Sequence, residues 1–301
     1  MRLVEPILWL ALLGAGVLVG LAGSPYAVGV AFSLCSAVAL TQSWALFSST
    51  TGYVSLGQVV FYGLGAYATV LLFDSVPLAL ALLASGLAAL GFALLVGPPV
   101  LRVRGPYFVI LSFGVAELVR SLVVLNEDRL GQFSRMMFGA PDIAVLYAVM
   151  LGLAVAATIL AMVVRASRFG AGLVAVREDE TAAETIGIPA TRLKLAAFAL
   201  SAIIPGMVGG LSSLRTSYFD PGTFFDPTIS FSIVTMVVVG GGDDARGPVI
   251  GSLAFVLLSE ALWTRLPQVY SIVLGVTLIA FVLFLPRGLA GLLTPGRRAG
   301  V

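Results

Sequence analysis

The sequence predicts an all-α protein, a polytopic bundle of eight to ten membrane-spanning helices. Hydrophobic residues make up 59% of the 301 residues and charged residues only 11%. Apolar runs recur at the length of about 20 residues that crosses a hydrocarbon layer of about 30 Å. Because lipid cannot satisfy backbone polar groups, such runs are expected to be helices. We therefore expect residues 1–301 to form a single membrane-spanning domain.

Ten apolar runs are candidate spans. The first is interpreted as an uncleaved span rather than a removed signal peptide, because it is long enough to cross a bilayer. The eighth and ninth runs are short, so they either begin earlier than hydropathy indicates or are re-entrant. In chain order the runs are 7–23, 26–47, 53–73, 76–97, 107–125, 143–164, 194–214, 228–240, 248–263 and 268–286.

The distribution of basic residues predicts a cytoplasmic N-terminus. If all ten runs cross, twelve of the 17 basic residues face the cytoplasm, four face outward and Arg120 lies within a span. Basic residues concentrate in cytoplasmic connections. The asymmetry therefore places 165–194 in the cytoplasm, together with the connections 98–106 and 241–247.

Composition excludes several functions. The chain has no His and a single Cys, Cys35, so it offers neither an internal disulfide nor a His/Cys metal site. A net charge of +2 does not indicate a nucleic-acid partner. No phosphate-binding G-x-x-x-x-G-K-[ST] loop occurs, and no catalytic residues, cofactor or metal ligands are predicted. An enzymatic activity on this chain is not expected.

One stretch, REDETAAETIGIPATRLK at 177–194, carries four carboxylates and three basic residues. Thr181 and Glu184 have the spacing of a capping box, in which each side chain accepts from the other residue's backbone N–H. Asp179 and Glu180 add negative charge near the positive end of the predicted helix. The pattern predicts a short helix on a cytoplasmic connection.

The following residues predict where this helix ends. Gly187 suits a left-handed stop, and Pro189 prevents continuation. Ala182 and Ala183 keep the helix surface small, while Ile186 offers an apolar anchor. The residues alone leave two readings open: a docking helix, or a capped surface helix without a partner.

Five segments carry a resemblance to a known family. In chain order they are TGYVSLGQVVFYGLGAYATVLL (51–72), RVRGPYFVILSFGVAELVR (102–120), SRFGAGLVAVREDETAAETIGIPATRLKLAAFALSAIIPGMVGGL (167–211), GGGDDARGPVIGSLAF (240–255) and LPRGLAGLL (285–293). Together they resemble the LivM-type permeases, the membrane subunits of ATP-binding-cassette importers for branched-chain amino acids. The resemblance covers most of 40–293.

The resemblance implies that a cytoplasmic coupling loop at about 166–193 docks on an ATPase subunit. The partners it implies are a second homologous permease subunit, two cytoplasmic ATPases that bind ATP and Mg, and an extracytoplasmic substrate-binding protein. The implied location is the plasma (inner) membrane of a bacterium or archaeon. The candidate coupling residues are Glu178, Asp179, Glu180, Thr181, Ala182, Ala183, Glu184, Ile186 and Gly187.

The substrate is less securely implied than the coupling. Relatives carry a Thr-Gly-Gly segment in the external connection after the fifth span, whereas this chain has NEDRLGQFSRMMFGAPDI at 126–143. Branched-chain or other hydrophobic amino acids are the expected substrates, with urea or short amides as the alternative. An ATP-independent channel or secondary carrier would call for more ionisable residues inside the spans.

Two polar pairs are candidates for the translocation path. Ser55 and Gln58, predicted to share a helix face, offer polar groups to the path or tie helices together. Glu117 and Arg120 have the i, i+3 spacing of an ion pair. They either face an interior, or lie near the membrane interface with Arg120 reaching toward water.

Two further features concern helix packing. The glycines of 52–65 are interpreted as positions of close helix approach. Pro205 and Gly206 interrupt the span after the charged stretch, since proline removes a backbone donor. They predict either a hinge or a static kink.

Overall fold

The computed structural model describes residues 16, 20, 23–131, 134–242, 244–265, 275–276 and 289. Seven helices in this part of the chain are long and apolar enough to cross a membrane, where Pro221–Gly240 counts as one helix although it is interrupted after Phe224. An eighth, shorter apolar helix begins at Gln58. These eight account for the eight central predicted runs. The predicted spans 7–23 and 268–286 lie outside the described residues apart from isolated positions.

The described elements are helical except for one pair of two-residue strands. They are α1 (Pro25–Thr51), α2 (Gln58–Leu72), α3 (Leu78–Val100), α4 (Pro106–Arg129), β1 (Arg135–Met136), α5 (Ile143–Ala166), α6 (Arg168–Glu178), α7 (Glu180–Thr185), α8 (Ala190–Thr216), β2 (Tyr218–Phe219), α9 (Pro221–Phe224), α10 (Pro227–Gly240) and α11 (Arg246–Arg265). The strands pair antiparallel, with Arg135 opposite Phe219.

Local chemistry explains several helix ends. The Ser24 hydroxyl accepts from the Ala27 N–H at the start of α1, and Asp142 accepts from Ala144 N–H at the start of α5. Gly52 ends α1 in a left-handed conformation with φ 76°. Glycine adopts that conformation without the steric penalty of a Cβ atom.

Two predicted boundaries were wrong. The run 53–73 begins as a helix only at Gln58, because residues 52–57 form a non-helical connection. The connection predicted to start at residue 98 starts later, because Pro98 and Pro99 lie within the last turn of α3, which continues to Val100. Hydropathy does not distinguish an apolar helix from an apolar connection. The predicted run 53–73 therefore included part of the connection that precedes α2.

Helix α8 lies at the centre of the described bundle and packs against α1, α2, α3 and α5. Small residues permit this packing. A Cβ atom on Gly65 of α2 would collide with the carbonyl oxygen of Gly206, and one on Gly209 would collide with that of Tyr62. The predicted role of the α2 glycines in close packing is confirmed at Gly65.

The outer surface of the bundle is apolar. Large side chains on α3 and α4 are more than half exposed, among them Leu95, Ile110, Leu118, Leu122 and Leu125. In a membrane-spanning protein such residues face lipid tails, which leaves the polar contacts to the interior and to the two ends.

Contacts define the two ends of the bundle. At the end that we call the loop side, Arg177 donates to the Ser49 carbonyl at 2.9 Å and Arg165 donates to the Gly242 carbonyl at 3.0 Å. At the opposite end, the hairpin side, β1 pairs with β2. The connections around α6 and α7 therefore share the loop side with those between α1 and α2 and between α10 and α11.

We expect Gly65→Ala to lower the unfolding temperature of the purified chain in detergent, because overpacking of a tight interior costs about 1–3 kcal/mol. Gly91→Ala is the matched control, since a Cβ atom there has no neighbour within 4 Å. An equal effect of both changes would contradict the packing assigned to α2 and α8.

Candidate functional site

The charged stretch forms α7, but the residue that begins it differs from the prediction. The Asp179 carboxylate accepts from the Ala182 N–H at 3.0 Å and is the N-cap. The capping box of Thr181 and Glu184 was therefore wrong. Asp179 takes the cap two residues earlier because its extended backbone, φ −157° and ψ 108°, directs its carboxylate to the free N–H groups.

The end of α7 has the hydrogen bonds of a Schellman motif. The Ile188 N–H donates to the Ala183 carbonyl at 3.0 Å, and the Gly187 N–H donates to the Glu184 carbonyl at 3.0 Å. Gly187 adopts the left-handed conformation expected of it, with φ 87°. The loop thus fixes the direction in which the chain leaves α7 for α8.

The two sides of α7 have different surroundings. Ala183 is 3% exposed and packs with Val176 and Ala190 in a small apolar cluster. It does not belong to the outer surface, so its predicted place among docking residues is corrected: its methyl group holds α7 against α6 and α8. The outer surface is formed by exposed residues of α7 and its flanks, namely Glu178, Asp179, Thr181, Ala182, Glu184, Thr185, Ile186 and Gly187.

Glu180 joins α7 to the rest of the bundle through both carboxylate oxygens. Oε1 accepts from Lys194 Nζ at 2.6 Å and from Arg104 Nη2 at 3.2 Å. Oε2 accepts from the Tyr53 hydroxyl at 2.7 Å. These partners lie on α8, on the connection after α3 and on the connection after α1. We call the four side chains of Glu180, Lys194, Arg104 and Tyr53 the Glu180 cluster.

The ion pair at the centre of the cluster is largely removed from water, whereas the Arg104 side chain is 57% exposed. The Lys194 side chain is 2% exposed and that of Glu180 is 10% exposed. Lys194 Nζ also donates to the Tyr53 hydroxyl at 3.1 Å and reaches the Leu101 carbonyl at 3.5 Å. A buried ammonium is tolerated only when an anion and hydrogen-bond acceptors surround it. The Glu180 cluster meets this requirement.

The charged state of Glu180 is favoured despite its burial. Burial by itself raises the pKa of the carboxyl, but hydrogen bonds from Lys194 and Tyr53 outweigh it and hold the pKa below its usual value. A carboxyl with a lowered pKa stabilises the fold at pH values above its ordinary pKa. That contribution is lost as the pH falls through the lowered value.

Sequence reasoning did not identify Lys194, Tyr53 or Arg104 as partners of Glu180. A signal was present, since Lys194 is the only lysine of the chain and follows directly on the charged stretch. Sequence spacing could not predict the other two partners, because Tyr53 and Arg104 are 127 and 76 residues away from Glu180.

Ser55 and Gln58 lie inside the bundle rather than on a shared helix face. Ser55 precedes α2, and its carbonyl accepts from the indole N–H of Trp44 at 2.8 Å. Gln58 begins α2 and reaches the Ser201 carbonyl at 3.4 Å. Both are at most 2% exposed. The predicted common helical face is wrong, and the observed contacts tie helices together.

Glu117 and Arg120 form the predicted ion pair. Arg120 Nη1 donates to Glu117 Oε1 at 3.2 Å, halfway along α4. Their side chains are 47% and 35% exposed, so they are not buried inside this chain. Arg120 lies nine residues before the end of α4, and the two predicted alternatives for the pair, an interior position and a position near the interface, both stay predictions.

Pro205 and Gly206 lie in a continuous helix, α8, and both are buried. A Cβ atom on Gly206 would approach the Ser85 carbonyl oxygen to 2.7 Å. The observed contacts are those of a tight helix crossing. The hinge itself stays a prediction.

The Glu180 cluster generates a stability prediction. Glu180→Gln leaves the Lys194 ammonium buried without its anion, and breaking a buried pair costs about 3–5 kcal/mol. We expect a larger loss of thermal stability than for the double change Glu180→Gln with Lys194→Met, which also removes the stranded charge.

Glu184→Gln is the control on the same helix, because Glu184 is exposed. Its effect should stay within about 0.5 kcal/mol. Thermal unfolding in detergent measures all three variants, and a double variant less stable than Glu180→Gln would contradict the assigned pairing.

Comparisons with known proteins agree with the geometry. The family model described as "Branched-chain amino acid transport system / permease component" matches residues 27–282. Two similar proteins are the high-affinity branched-chain amino acid transport system permease proteins LivM of Salmonella typhimurium, 28% identical over 285 residues, and of Escherichia coli K12, 29% identical over 279 residues.

Each alignment covers 81% of this chain and 65% of the relative, so the chain spans less than two thirds of the relatives' length. No solved structure matches significantly. The family model covers far more than half of the 301 residues. The chain belongs to the branched-chain amino acid transport system permease family.

Proposed function

We propose that this chain is the permease subunit of an ATP-driven importer of branched-chain or other hydrophobic amino acids. The observation that carries the proposal is the two-sided surroundings of α7. Thr181, Ala182 and Ile186 are exposed on its outer surface, and Ile186 is 76% exposed. Glu180 is held by three other segments. A short helix with an exposed outer surface and an inner side fixed to the bundle is suited to docking a partner.

The Glu180 cluster connects α7 mechanically to the membrane helices. A force applied to α7 by a docked ATPase reaches α8 through Lys194. It also reaches the connections after α1 and α3 through Tyr53 and Arg104. The ATPase thus biases the bundle between two conformations, as a ligand with different affinity for the two states does.

The proposed assembly contains a second homologous permease subunit, two cytoplasmic ATPases that bind ATP and Mg, and an extracytoplasmic substrate-binding protein. In this proposal the loop side faces the cytoplasm of a bacterial or archaeal cell. The excess of basic residues in the loop-side connections supports that orientation. Hydrolysis of ATP takes place on the partner chains.

We expect Ala182→Arg to abolish ATP-driven amino-acid uptake while membrane insertion and thermal stability stay normal. Ala182 is exposed, so the isolated chain accommodates the arginine, whereas a docked partner meets a bulky cation. Uptake into vesicles and co-purification of the ATPase measure the effect.

Ala183→Arg is the comparison, because Ala183 is buried and the change should destabilise the loop itself. Uptake at the wild-type rate by Ala182→Arg, with the ATPase still bound, would contradict the docking role of α7.

A further inference from the structure

The Glu117–Arg120 pair lies deep in a membrane-spanning helix and on its exposed side. Glu117 is the twelfth of the 24 residues of α4, about 16 Å from its start. A charged residue at this depth costs about 2.5–3.5 kcal/mol or more in contact with lipid. The exposed pair therefore faces water or a partner protein rather than hydrocarbon.

The exposed side of α4 that carries Glu117 contains small and polar residues as well as apolar ones. Gly114, Ser121 and Asp128 are exposed and continue the Glu117 side at helical spacing. A Cβ atom on Gly114 would have no neighbour within 4 Å, so the surface beside Glu117 is open. Ile110 and Val124, seven residues before and after Glu117, are also exposed on this side, and the exposed leucines of α4 lie on an adjoining strip.

A helix break lies at the same depth. Phe113 of α4 contacts Phe231 of α10, with ring centroids 6.2 Å apart. The two helices run in opposite directions between the loop and hairpin sides. Glu117 lies one turn after Phe113 in α4, and Pro227, the first residue of α10, lies one turn before Phe231. Because the helices are antiparallel, Glu117 and Pro227 lie at about the same depth.

The chain before Pro227 is irregular at this depth. The hairpin-side strand β2 is followed by the four-residue α9, then by Phe225 and Asp226, before α10 begins. Of the two alternatives predicted for the eighth run, this path agrees with the one in which the run begins before residue 228, since Pro221–Gly240 together reach the length of a span. Irregular backbone at membrane depth occurs where protein or a water-filled cavity surrounds it, and transporters bind substrates at such breaks.

We infer that Glu117 and Arg120 form the head-group site for a zwitterionic α-amino acid during its passage through the membrane. The Glu117 carboxylate accepts from the substrate ammonium, and the Arg120 guanidinium donates to the substrate carboxylate. Without substrate the two side chains neutralise each other. Phe113 and Phe231 offer apolar surface to the substrate's side chain. This inference rests on the proposed function.

The site distinguishes substrate classes by charge. An amino acid replaces both halves of the ion pair, whereas urea and short amides carry no charge with which to open it. The proposed path therefore favours amino acids over the neutral alternatives.

The test uses the full chain in lipid nanodiscs and saturation-transfer NMR with three ligands. They are leucine, leucinamide, which lacks the carboxylate, and 4-methylpentanoate, which lacks the ammonium. Wild type should bind leucine best. Arg120→Gln should shift the leucine-to-leucinamide affinity ratio toward leucinamide, and Glu117→Gln should shift the leucine-to-4-methylpentanoate ratio toward 4-methylpentanoate. Each shift should be about tenfold, the size of one charge-assisted hydrogen bond.

Leu122→Ala, on the adjoining strip of α4, is the control and should leave all three ratios unchanged. Equal ratios in wild type and both charge variants, or no leucine binding to folded wild type, would overturn the inference. The double change Glu117→Gln with Arg120→Gln should lose the preference for leucine over both analogues, and retention of it would also overturn the inference. A failure of the proposed function would be seen in a different measurement, namely the absence of ATP-driven uptake by the wild-type assembly.

Discussion

The carboxylate of Glu180 is the contact on which the arrangement of the loop side depends. It is the anion nearest to the chain's only lysine, which is 2% exposed at the start of α8. Burial makes the lysine dependent on that anion, and the anion is held in turn by Tyr53 and Arg104. Segments far apart in the chain thus share one site, so α7 has a fixed position relative to the membrane helices.

Helix α8 extends this constraint through the bundle. It begins at the end of the α7 connection, carries Lys194 in its second turn and continues to Thr216 near the hairpin side. Gly209 brings its backbone against α2 and Gly206 brings it against α3, at points where no Cβ atom fits. Close packing transmits strain between helices. A displacement of Lys194 therefore acts on α8 and on the helices packed against it.

The sequence predicted those features that local chemistry decides. Hydropathy located the eight apolar helices of the described residues, and Gly187 was recognised as a left-handed stop. The sequence did not predict the Asp179 cap, because Thr181, three residues before Glu184, matched the capping-box pattern. The burial of Ala183 and the partners of Glu180 depend on tertiary packing, which no spacing encodes.

Two polar sites at different depths thus have different roles in this account. The Glu180 cluster fixes α7, while the Glu117–Arg120 pair lies deeper, beside a helix break. The Glu180 carboxylate fixes α7 to the bundle. Spin labels at exposed Ile186 and Arg102 test it by their distance distribution in nanodiscs. The account predicts a narrow distribution in wild type and a broad one in Glu180→Gln; the same narrow distribution in both would contradict it.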